Sequence, residues 1–103
     1  MNIQKIIGPD NGVPFTVVFV NDQESTKNVE ISGNVRILAK NSLKLSGGSQ
    51  KSGKLMVLTN GDLTLIGWSV KNGFISANNN ITIQKGGFVG QMMAKGTIYI
   101  QGG

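Results

Sequence analysis

Gly73-Phe74-Ile75-Ser76-Ala77-Asn78-Asn79-Asn80-Ile81-Thr82-Ile83-Gln84 is followed by Gly90-Gln91-Met92-Met93-Ala94-Lys95-Gly96-Thr97-Ile98-Tyr99-Ile100-Gln101, and the second stretch answers the first 17 residues later. In both, apolar residues fall in i, i+2 pairs, the alternation of a strand with one buried face. The same pairing runs back through the chain. One series reads Phe15/Val17, Val35/Ile37, Leu55/Val57, Ile75/Ala77 and Met92/Ala94, with steps of 20, 20, 20 and 17. A second reads Val29/Ile31, Leu43/Leu45, Leu63/Leu65, Ile81/Ile83 and Ile98/Ile100, with steps of 14, 20, 18 and 17. The series interleave, so each period carries two short strands, with Trp68, Val70 and Phe88 left for a third side.

Two residues before the second series, from the second coil to the fifth, stand Asn41, Gly61, Asn79 and Gly96. Gly and Asn enter the left-handed region at little cost, so these four positions read as one corner, repeated with φ above zero. The connections are too short for crossover helices and are dominated by Gly, Asn, Ser and Lys. Strands that recur without helices between them can still be parallel neighbours if the backbone winds. The sequence therefore predicts an all-β fold, a single-stranded parallel β-helix (solenoid) of about five coils with 17–20 residues per coil. An antiparallel meander or small barrel is the competing arrangement, and the repeated corner argues against it, since hairpins alternate their turn chemistry. Residues 1–14 form an expected N-terminal capping segment and 15–103 the solenoid domain, with a polar connection expected over 21–28.

The chain has 103 residues, 15 of them Gly and eleven Asn, and neither Cys nor His. That excludes disulfides, thiolate or imidazole metal sites, and Ser-His or Cys-His nucleophile pairs. The five acids form no cluster in sequence, Asp62 reads as a turn residue bonded to a nearby N–H, and Gly86-Gly87-Phe88-Val89-Gly90 lacks the helix a phosphate cradle needs. No enzyme activity, cofactor or metal is expected. Net charge is +5 and uneven: residues 1–30 hold two Lys against four acids, while 31–103 hold eight basic residues against Asp62. The lysines are dispersed, which implies only weak, non-specific polyanion binding. The sequence contains neither an apolar run long enough for an integral membrane segment nor a secretory signal pattern.

Outward positions suggest an interaction stripe of Val18, Leu38 and Leu58, with Met56 and Met93 on the same side in a file with Thr16, Arg36 and Ser76. Gln84, Gln101 and the asparagines are placed to stack as amide ladders. Ile98, Tyr99 and Ile100 form an expected end-to-end edge for self-association or a protein partner, with neither charge nor Pro to block it.

The stretches Asn34-Val35-Arg36-Ile37, Gly61-Asp62-Leu63-Thr64-Leu65-Ile66-Gly67, 74–83 and 90–100 resemble the β-solenoid domains of type IV pilus-associated proteins of the PilX-like kind. The resemblance covers about residues 29–103 and implies a non-enzymatic module at the cell surface, acting in display, adhesion or assembly as part of a longer protein. Such proteins carry an N-terminal pilin helix, which these residues lack. The chain is also similar to the bactofilins, cytoskeletal β-helix proteins that polymerise end to end, and that resemblance implies a complete, cytoplasmic chain. Its departure is one of spacing: four residues, not three, separate Ala77 from Ile81 and Ala94 from Ile98.

Overall fold

The computed structural model describes residues 5–21 and 23–101, with 23–26 as backbone only. Ten strands follow in order: β1 (Lys5–Ile7), β2 (Phe15–Phe19), β3 (Gln23–Ser32), β4 (Val35–Ala39), β5 (Ser42–Gln50), β6 (Leu55–Thr59), β7 (Leu63–Ala77), β8 (Ile81–Gln84), β9 (Gly87–Ala94) and β10 (Ile98–Gln101). Every pairing is parallel. The protein is an all-β parallel solenoid with three sides. Face A stacks β2, β4, β6, residues 73–77 of β7 and residues 90–94 of β9. Face B stacks 23–27, 42–46, 63–66, β8 and β10, and face C stacks β1, 29–32, 48–50, 68–70 and 87–88. Long strands such as β7 turn corners without leaving the ladder.

Alternation explains what is inside. Val35, Ile37, Leu55, Val57 and Ile75 from face A meet Leu43, Leu45, Leu63, Leu65, Ile81 and Ile83 from face B, and Val29, Ile31, Trp68 and Val70 close the core from face C. At about 25 cal/mol per Å² of apolar area, files of this kind supply most of the stabilisation of a chain with no covalent staple.

The register corrects the expected alignment in two places. Val29 and Ile31 pair with Gly48 and Gln50 on face C, while the partners of Leu43 and Leu45 are Glu24 and Thr26. The segment read as a polar connection over 21–28 thus supplies most of the first face B rung. On face A, Phe15, Val35, Leu55, Gly73 and Gly90 share a file, so successive coils take 20, 20, 18 and 17 residues, and Ile75 stands over Val57 instead of Leu55. The shortening is invisible in the apolar spacing, because inward positions two apart are equivalent by alternation.

The predicted left-handed corner also moves. Asn41, Gly61, Asn79 and Gly96 do lie at the turn from face A to face B, joined along the axis by Gly61 N–H to Asn41 C=O, Asn79 N–H to Gly61 C=O and Gly96 N–H to Asn79 C=O. None has positive φ. Left-handed backbone is found at the turn from C to A, where Gly33 and Gly53 have φ of 76° and 77°, and as a four-residue file at the turn from B to C, where Asn28, Gly47, Gly67 and Lys85 have φ of 55°, 67°, 66° and 55°. In three coils the B-to-C turn is made by a single residue inside a continuous strand, so one backbone must reverse its sense; in the fourth, Lys85 and Gly86 make it between β8 and β9. The A-to-B turn spends two or more residues and stays right-handed. Glycine serves there for space: a Cβ on Gly61 would sit 2.5 Å from Ser42 Oγ.

Below the first coil, β1 adds a parallel strand to Glu30–Ser32 and buries Ile6, so Lys5–Ile7 of the expected capping segment continue face C as a rung. Gly8 N–H and Asn34 N–H then tie the following loop to Ser32 C=O and Pro9 C=O.

Candidate interaction surfaces

Polar side chains lock neighbouring coils. Beside the A-to-B corner, Ser42 Oγ accepts from Asp62 N–H (3.0 Å), Asp62 Oδ1 from Asn80 N–H (3.0 Å) and Asn80 Oδ1 from Thr97 N–H (2.9 Å). Each side-chain oxygen satisfies an N–H that the backbone ladder leaves open, which matches the turn role expected of Asp62. The expected amide ladders are present as Asn78 Nδ2 to Asn60 Oδ1 (3.1 Å) and Gln84 Nε2 to Gln101 Oε1.

The ladder also fixes what the last rung offers. Leu43, Leu63 and Ile81 each donate N–H to the coil above, at the C=O of Asp62, Asn80 and Thr97. Ile98 holds the same register place as Ile81, so its N–H points along the axis beyond the described rungs. Ile98 and Ile100 are inward by register, yet they are exposed, Ile100 to 66%, as is Tyr99 beside them. At the opposite end Phe15 and Val17 are the inward residues left open, beside a recess lined by Lys5, Ile6 and Ile7.

The outward side of face A carries two files. One is Val18, Leu38, Leu58, Ser76 and Met93; the other is Thr16, Arg36, Met56, Phe74 and Gln91. The structure therefore keeps Met56 in the file of Thr16 and Arg36, and moves Met93 and Ser76 into the file of Val18, Leu38 and Leu58. Asn78 and Lys95 lie at the corner that follows this face. Val18 and Met93 are 58% and 59% exposed, Met56 is also exposed, and Leu38, Leu58 and Phe74 are half-buried. Phe74 was hidden from sequence reasoning by the two-residue shortening of its coil. The outward positions of face C, by contrast, include Lys5, Glu30, Ser49, Ser69 and Gly87, with Ile7 exposed at its first rung, and those of face B include Lys44, Thr64 and Thr82.

Among the described residues no three or more carboxylates gather where a metal could be held, and no helix is long and apolar enough to cross a membrane. No protein-family model, curated protein or solved structure matches the chain.

Proposed function

We propose that the protein is a non-enzymatic structural module that works by axial stacking, its last rung receiving the first rung of another copy. The last rung carries this reading: Ile98 directs an unused N–H along the axis, Ile98 and Ile100 extend the core files, and no charge or Pro stands between Thr97 and Gln101. Such an edge templates another strand. Continuing the observed register into a second copy sets Phe15 and Phe19 over Gly90 and Ala94, large residues against small ones. Charge supports the same polarity. In a solenoid sequence order is axial order, so the net −2 of residues 1–30 and the net +7 of 31–103 give the two ends opposite sign. Glu24 opposes the fit, since its register place would fall over Ile98.

This is the role the bactofilin resemblance implies. In the pilus-type role of display, adhesion or assembly, the rung above would be a continuation of the same protein. Light scattering and electron microscopy on the natural full-length protein separate the two. Axial stacking predicts filaments that Ile98→Pro abolishes, by removing the axial donor, and that Glu24→Leu strengthens. A natural protein that stays monomeric at every concentration would overturn it.

A further inference from the structure

The outer side of face A is apolar in its middle and basic at its margins. Val18, Met56, Leu58, Phe74 and Met93 cover the two central files. Along one margin the A-to-B corner presents Lys40 and Lys95, and along the other the C-to-A corner presents Lys51, Lys54 and Lys71, all exposed. Arg36 lies in the centre, half-buried, with an Nε that is buried and has no acceptor among the described residues. Six of the ten basic residues thus belong to one face and its margins, against two described acids there, Asp62, whose Oδ1 already accepts Asn80 N–H, and Asp10, exposed at the C-to-A margin. A shallow recess between Lys54, Met56, Phe74 and Gln91 opens beside it.

We propose that this face docks on an anionic lipid bilayer. Apolar side chains on a flat surface enter the boundary between headgroups and acyl chains, and lysines around them meet lipid phosphates, the pairing by which amphipathic surfaces bind membranes without crossing them. Arg36 supplies forked donors at the centre, where a phosphate would find no competing carboxylate among the described residues. The charge pattern selects this occupant over a second copy laid face to face, which would bring lysine margins and two Arg36 side chains into one contact. The inference does not depend on axial stacking, because the face is complete on a single copy.

The test is co-sedimentation of the full chain with phosphatidylcholine vesicles, with and without phosphatidylglycerol. The expected result is binding to the anionic vesicles alone, weakened about fivefold by each of Lys40→Gln and Lys95→Gln and also weakened by Val18→Ser and Met93→Ser. Lys44→Gln and Lys85→Gln, which remove the same charge away from this face, should leave binding unchanged. All six positions are exposed, and unchanged circular dichroism verifies that the variants fold. Absence of anionic-vesicle binding, or equal losses from the off-face lysines, would overturn the proposal. So would serine variants that bind normally, which would reveal a general polyanion surface, or serine variants that dissociate a vesicle-free dimer, which would assign the face to a second copy.

Discussion

Gln50 is 1% exposed and its amide is fully engaged: Nε2 donates to Gly53 C=O (2.7 Å) and Asn72 C=O (2.8 Å), and Oε1 accepts from Lys71 N–H and Asn72 N–H (both 2.9 Å). It stands over Ile31 in an otherwise apolar file and fastens the turn that carries β7 from face C to face A. Gln50→Leu keeps the bulk and orphans two donors and two acceptors, so thermal or urea unfolding should register a loss of about 3 kcal/mol or more. Backbone sense gives a second prediction at this scale. Asn28→Val should cost about 1–3 kcal/mol while Asn28→Gly is nearly neutral, because a β-branched residue is strained at positive φ. The same pair at Asn79 should differ much less, since that corner is right-handed; a large difference at 79 and none at 28 would reverse the assignment. The sequence displayed the Gly/Asn preference of these corners but not its cause. Close approach and left-handed backbone select the same two residues, so composition by itself does not separate the two kinds of corner.

At the scale of elements, the inward pairs from Leu43/Leu45 to Ile98/Ile100 were legible because strict alternation admits a single buried face. Leu65→Asp would bury an unpaired carboxylate among these files, and chemical denaturation should show a loss of several kcal/mol, comparable to the stability of a small domain. A cooperative, near-native variant would contradict the inward placement. What alternation cannot count is coil length, and that is why Ile75 was aligned one pair off and Phe74 was missed on the outer face. The third side was harder to read for another reason: its inward row mixes Val29, Ile31, Gly48, Gln50, Trp68 and Val70. Gly48 is there because space is short on both sides, for a Cβ would meet Trp68 Cζ2 and Val29 C=O, each at 2.5 Å. Gly48→Ala should therefore destabilise by about 1–3 kcal/mol, and Trp68→Leu in the same chain should recover part of that loss if crowding against the indole is its origin. An identical loss in both backgrounds would place the constraint in the backbone.

At the scale of the whole molecule, the coils turn a linear sequence into an axial order, so that chain position sets height, face sets environment, and the ends differ from the sides. The ends carry the assembly reading, and the absence of Cys makes it directly measurable. Val18 and Met93 lie in one outer file, on the first and last face A strands, four rungs apart within a copy. At about 4.8 Å per rung they are roughly 19 Å apart, beyond any disulfide. In a head-to-tail stack, Met93 of one copy and Val18 of the next occupy adjacent rungs. The decisive measurement is oxidation, or linking with a short bismaleimide, of the Val18→Cys/Met93→Cys double variant, read on a denaturing gel beside each single variant. Axial stacking predicts a ladder of covalent oligomers from the double variant, with no more than dimers from either single one. Covalent monomers only, or the same dimers from Val18→Cys alone as from the double variant, would contradict head-to-tail assembly.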